Sequence, residues 1–169
     1  MIEQLRKVNV IACVILLFGL QYSCAAFSQG VAPDFSLPSE NGKVTLSMYE
    51  GKVIYLDFWA SWCPPCKESF PWMNEMQEKY QSQGLEVVTI NLDANRNDAE
   101  KFLLENSTSF TVAFDTEGKT PLQYGIKGMP TSYLIDKKGN IAFQHEGFHS
   151  KDKELLEDRI QVLLQFQGE

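Results

Sequence analysis

A chain of 169 residues, 44% of them hydrophobic, makes one domain of ordinary size with enough apolar mass for a core, so no disulfide framework is needed to keep it folded. The formal charge is −7, the pI is about 4.9, and Lys and Arg form no run. That excludes the positive face on which nucleic-acid phosphates are held.

The first elements lie in the N-terminal thirty residues. Arg6 and Lys7 precede the apolar run VIACVILLFGL at 10–20, and small residues follow in SCAAFSQG. A basic start, a short apolar stretch and a small-residue region are the parts of a secretory signal peptide. The run has 11 residues, whereas a spanning helix needs about 20. The reading is therefore an export signal at 1–28, cut after Ala26 or Ser28, and a domain at 29–169. The alternatives are an uncleaved anchor through residues 10–20, or lipidation at Cys24, against which Gln21 and Tyr22 count.

Residues 31–51 are rich in turn formers and predict an extended lead-in with a hairpin about Asn41-Gly42. KVIYLDFWA predicts a buried central strand. From Pro64 to about Gln83 the spacing of Phe70, Met73, Met76 and Tyr80 predicts a helix, kinked at Pro71 and stopped by Gly84. LEVVTINLD predicts a second buried strand, NDAEKFLLENS a helix with an Asn or Asp cap, and TVAFD a short strand or edge segment. TSYLID, KKGN and IAFQHEGF predict an antiparallel hairpin. The segment from Ser150 to Phe166 predicts a closing helix, capped by Ser150, with Leu156, Ile160, Leu163 and Leu164 on its apolar side. The order implies an α/β domain with one mixed sheet between helices.

Four cysteines occur, and removal of the export segment would leave only Cys63 and Cys66, in CPPC. Their loop is too short to staple the chain usefully. A structural zinc site needs four ligands. His145 and His149 are the only histidines, so a Cys₂His₂ site is arithmetically available, but solvated positions on and after an edge strand are the reading preferred for them. Redox chemistry fits the pair's place better. Cys63 falls where a strand yields to a helix, and there unpaired N–H groups and the helix dipole favour a thiolate. Cys63 is expected to be exposed and Cys66, one turn further in, more buried. Pro64 and Pro65 stiffen the turn at no loss of an intrahelical bond.

DFWASWCPPCKESFP resembles the active-site segment of the thioredoxin superfamily. The stretch from APDFSLPS to CPPC resembles the opening of its exported TlpA-like and ResA-like branch, and YGIKGMPTSYLIDKKGNI resembles the family's cis-proline loop and hairpin. Peroxiredoxins share the APDF opening, but their Pro-x-x-x-Thr-x-x-Cys pattern is missing here. The resemblance spans about residues 31–165. It implies a thioredoxin fold: a central mixed sheet flanked by helices on both faces, with an N-terminal extension and a βα insertion. By the same resemblance Cys63 is the nucleophile and Cys66 the resolving cysteine. Pro130 is a cis-proline whose neighbouring backbone receives the substrate chain as an added strand. Trp62, Pro64, Pro65, Met129, Pro130 and Thr131 make up the substrate-contacting set.

Asp57 matches the buried acid of thioredoxins proper, whereas the TlpA-like branch often has a neutral residue here and an acid further along the helix; Glu68 is one position early for that pattern. An acid within an apolar strand has a raised pKa and can exchange a proton with Cys66. The implied function is an exported thiol–disulfide oxidoreductase that reduces disulfides of particular partner proteins, in a role like cytochrome c maturation or oxidase assembly. No cofactor or metal is implied. A membrane thiol transporter of the DsbD or CcdA kind is the implied electron donor, and a monomer is expected. The rival readings are a disulfide-forming oxidant or isomerase and, in a different class, a copper metallochaperone holding Cu(I) through the two thiolates.

Overall fold

The structure, a computed structural model, describes residues 30–165. The expected export segment, with Cys13 and Cys24, lies outside the described residues, as does Phe166.

One seven-stranded sheet organises the chain, in the order β2-β1-β5-β4-β3-β6-β7. Strands β1 (Ser36–Ser39) and β2 (Gly42–Thr45) form the expected hairpin. Strands β3 (Val53–Trp59), β4 (Leu85–Asn91) and β5 (Thr111–Phe114) run parallel. Strands β6 (Thr131–Ile135) and β7 (Ile141–Glu146) complete the other side, β6 antiparallel to β3 and β7 antiparallel to β6. Every residue of β3 is buried, as a strand in the middle of a covered mixed sheet requires.

Helix α1 (Pro64–Tyr80) follows β3, α2 (Arg96–Glu105) follows β4, α3 (Lys119–Gln123) follows β5, and α4 (Lys153–Gln165) closes the described chain. Strand alternation sorts the core into two clusters. On one face Val53, Tyr55 and Trp59 meet α1 through Phe70, Met73 and Met76, α2 through Ala99 and Phe102, and α4 through Leu156 and Ile160. On the other, Ile54, Leu56 and Phe58 meet Val88, Ile90, Tyr133 and Tyr124, roofed by Ala32, Phe35 and a 3₁₀ turn at Leu46–Tyr49. This is the expected thioredoxin fold.

One pair of alternatives is resolved and three local expectations change. TVAFD is the short strand and not an edge segment: Ser39 of β1 pairs with Ala113, so the N-terminal hairpin covers β5. Helix α1 is unbroken through Pro71. Pro71 and Lys67 are both exposed, so the carbonyl left without an N–H partner is on the solvent side. The regular helix ends at Tyr80, and a 3₁₀ turn at Gln81–Gln83 leads to Gly84 with φ 101°, a left-handed stop that glycine tolerates. Finally, Ser150 is not the cap. His149 caps a 3₁₀ turn at Ser150–Asp152, its N–H donating to Asp152 Oδ2 at 2.8 Å.

Candidate active site

The site forms where β3 runs out. Ala60, Ser61 and Trp62 carry the chain from the strand to Cys63, which is the N-cap of α1. Asp93, just beyond β4, holds this crossing in place. Its carboxylate accepts from the Ser61 N–H at 2.9 Å, the Ser61 hydroxyl at 3.0 Å and Asn91 Nδ2 at 2.7 Å. A buried carboxylate with three donors is a rigid peg.

Cys63 and Cys66 are joined as a disulfide, with Cα atoms 5.3 Å apart. Pro64 and Pro65 occupy the first two helical positions and have no N–H. The first N–H the helix offers is that of Cys66, and it donates to Cys63 Sγ at 3.3 Å. The prolines thus remove two of the orphan donors of a helix start and leave the third aimed at the sulfur. The same N–H, with the helix dipole behind it, would stabilise a thiolate on Cys63.

Burial corrects the expectation of an exposed Cys63. Its residual exposure is 4%, against 0% for Cys66. The order is as expected, but in the disulfide state both sulfurs sit in the apolar cluster with Trp59 and Phe70. The exposed member is Trp62, at 69%.

The second motif comes to the same place because β6 lies beside β3, Thr131 pairing with Phe58. The Met129–Pro130 bond is cis. Pro130 C=O accepts from the Gly147 N–H at 2.8 Å, and Thr131 Oγ1 donates to Gly128 C=O at 2.7 Å, so the loop is tied on both sides. Met129 packs partly buried against the cluster that holds the cysteines, and its backbone makes no hydrogen bond among the described residues. A backbone edge of that kind can accept an extended chain.

Asp57 is at the middle of β3, on the face of Tyr55 and Trp59 and so beneath α1. It is 1% exposed, and Oδ2 has no hydrogen-bond partner. Burial pushes its carboxyl well above the usual range. The Tyr55 phenol is also pushed up, first by burial and then by the Asp57 charge. Glu68 is exposed on α1. His149 is exposed, as expected of a solvated position after the edge strand, whereas the His145 side chain is only 16% exposed, with Nε2 3.5 Å from Asp152 Oδ2. The described residues bring no three His, Cys, Asp or Glu side chains together as a metal site.

The AhpC/TSA family profile matches residues 29–144. The chain belongs to that family. Within it, the chain is 34% identical over 133 residues to a thiol–disulfide oxidoreductase ResA of Bacillus thuringiensis, covering 78% of this chain and 76% of the relative. ResA of Bacillus subtilis is 35% identical over 111 residues, covering 65% and 62%. Among solved structures, one described as a thiol:disulfide interchange protein DsbE from Chlorobium tepidum superposes with a TM-score of 0.79 at 57% identity, covering 80% of this chain and 96% of that one. StoA of Bacillus subtilis superposes with a TM-score of 0.65 at 29% identity, covering 76% and 97%. The protein is a thiol–disulfide oxidoreductase with the thioredoxin fold and a Cys-x-x-Cys pair.

Around the cysteine pair, sequence reasoning missed the Asp93 peg with Ser61 and Asn91. A signal was present: an apolar parallel strand that ends in Asn-Leu-Asp puts polar side chains at its carboxyl end, where open α/β sheets build their sites.

Proposed function

We propose that this protein is an exported reductant of disulfides in particular partner proteins, acting through Cys63 and Cys66 as a monomer. The observation that carries the proposal is the seat of Cys63 Sγ. It lies over the first free N–H of α1, beside exposed Trp62, in the cluster against which Met129 packs.

In the reduced protein the Cys63 thiolate attacks one sulfur of a partner disulfide. The partner's S–S bond breaks, one partner thiolate leaves, and a mixed disulfide forms. Trp62, Pro64, Pro65 and the Met129–Pro130–Thr131 loop flank the partner chain, which pairs with the open Met129 backbone. Cys66 then gives its proton to Asp57 and attacks Cys63 Sγ. The mixed disulfide breaks, the second partner thiolate leaves, and the Cys63–Cys66 disulfide closes. Two electrons pass from the dithiol to the partner. Asp57 suits the proton step because it is buried on the cysteines' face with an oxygen to spare. Residues 1–28 supply export, and a membrane thiol transporter of the DsbD or CcdA kind returns the electrons, because an oxidising compartment does not keep thiols reduced. The relatives named thiol–disulfide oxidoreductase ResA and thiol:disulfide interchange protein DsbE support thiol–disulfide exchange as the chemistry of the pair.

Trapping tests it. The variant Cys66→Ala, expressed in the native host, is expected to accumulate mixed disulfides on Cys63 with a small set of exported proteins, while the parent's pair is found reduced in the cell. A parent pair that stays oxidised in the cell, or a variant that captures nothing, overturns the proposal.

A further inference from the structure

Beside Asp57 the sheet register builds a row of polar side chains on the cysteines' face. Asp57 of β3 pairs with Thr89 of β4 on one side and with Ser132 of β6 on the other, and Ser132 pairs with His145 of β7. Directly paired residues project to the same face. The clusters agree, since Tyr55, Leu134 and Phe143, two residues from Asp57, Ser132 and His145, all join the core beneath α1 and α4. With strands about 4.8 Å apart, the row from Asp57 to His145 covers roughly 10 Å.

The two directions along this row are not equivalent. Toward β4 it is closed: Thr89 Oγ1 accepts from Trp59 Nε1 at 3.2 Å and donates to Thr111 C=O at 3.4 Å. Toward β7 it stays open. Ser132 is buried, and a hydroxyl both accepts and donates. Its neighbour His145 sits on the edge strand, Nε2 unpartnered by any hydrogen bond yet 3.5 Å from Asp152 Oδ2. Three buried side-chain polar atoms lack a partner among the described residues, and two of them, Asp57 Oδ2 and His145 Nε2, stand at the two ends of this row. Unpartnered buried atoms are costly and call for a reason.

We propose that the Asp57–Ser132–His145 row is the route by which the proton taken from Cys66 leaves the buried acid, with His145 and Ser132 as positioning residues and Asp152 as the acceptor at the surface. The inference rests on the proton-carrier reading of Asp57. Each transfer is a proton exchange with no change of oxidation state. Asp57 gives its proton to Ser132 Oγ as the Ser132 hydrogen passes to His145, and the imidazole releases a proton at the Asp152 side. Asp152 is 14% exposed, so the chain of groups ends at water. Imidazole has a nitrogen to take the proton and a second to release it, which suits it to a shuttle. The charged and titratable groups facing the row are Tyr55 of β3; Cys66 of α1; Asp152 ahead of α4; and Arg159 of α4, whose guanidinium lies 5.2 Å over the Phe143 ring.

The test is steady-state reduction of insulin by the dithiothreitol-driven enzyme in dilute non-nucleophilic buffer, then with imidazole added. His145→Gln is expected to turn over about tenfold more slowly than the parent in dilute buffer, within the reach of acid–base effects. His145→Ala, which opens a space, is expected to be as slow and to recover with imidazole, a response that loss of packing does not produce. Ser132→Ala is expected to be slowed as well. Gln144→Ala, on the same strand and the opposite face, is expected to match the parent, and far-UV spectra identify any variant that fails to fold. Asp57→Asn serves as the reference, slow with or without imidazole. If Asp57→Asn is slow while His145→Gln matches the parent, or if His145→Ala ignores imidazole, the route is overturned and the role of Asp57 stands. If Asp57→Asn itself matches the parent, the role of Asp57 falls and the route falls with it.

Discussion

The two faces of β3 obey different rules. Ile54, Leu56 and Phe58 face a cluster in which even the tyrosine hydroxyls are satisfied: Tyr133 donates to Tyr124 C=O at 2.6 Å and Tyr124 to Pro33 C=O at 2.7 Å. Val53, Tyr55, Asp57 and Trp59 face a cluster that holds a buried acid and the two cysteines. All three unpartnered buried side-chain atoms among the described residues, Asp57 Oδ2, Trp72 Nε1 and His145 Nε2, belong to this second side. One face is built for stability alone. The other tolerates desolvated polar groups, which a fold under no chemical demand would replace.

If that division holds, stability and chemistry separate by face. The largest stability effect is expected from Leu56→Ala, with Leu56 0% exposed on the apolar side; the loss should be about 2–5 kcal/mol by denaturant titration. Activity per folded molecule should be unchanged, and a proportionate loss of activity would break the comparison. Asp93→Ala should come next. It leaves the Ser61 N–H and Asn91 Nδ2 without their acceptor, at a cost of about 1–3 kcal/mol, and it should also slow attack by Cys63 on a disulfide, because the loop that carries the cysteine loses its peg.

Asp57→Asn should act in the opposite sense and stabilise. Burial raises the Asp57 carboxyl above its ordinary value of 3.8, so between those two values the native state binds more protons than the unfolded chain. Stability of the parent therefore falls as pH rises through that window. The advantage of the Asn variant in melting temperature should be absent below the ordinary value and grow as pH rises above it. An advantage that is flat with pH would mean that Asp57 is ionised in the fold. Trp62→Ala should have the smallest effect on stability, under about 0.5 kcal/mol for so exposed a side chain, while raising KM for protein disulfides more than it lowers kcat.

What could be read in the chain beforehand was what is local. Cys63 and Cys66 sit in one helical turn after an apolar strand, Met129–Pro130 precedes a strand-turn-strand pattern, and the helix after β4 has the expected Asn cap, which is Asn95, its side chain accepting from the Asn97 N–H. Each of these is decided within a few residues. What was missed or left open depends on distant partners. The interior place of β5 needs the N-terminal hairpin to pair with it. Helix α3 is short, contains Pro121, and is anchored by Thr120 on Asp115, with the hydroxyl donating at 2.6 Å. The setting of His145 follows from a register across β6 and from Asp152 before α4. Strand periodicity put Asp57 inside the sheet, but it could not say that one of its oxygens would be left without a donor.

If buried Asp57 moves the proton of Cys66, its loss acts on one step of the exchange and spares the other. Stopped-flow kinetics with a single-disulfide substrate resolves formation of the mixed disulfide from its resolution. In Asp57→Asn, formation through Cys63 should proceed at close to the parental rate, and resolution through Cys66 should be slowed by at least about tenfold across neutral pH. Resolution as fast as in the parent would contradict the account.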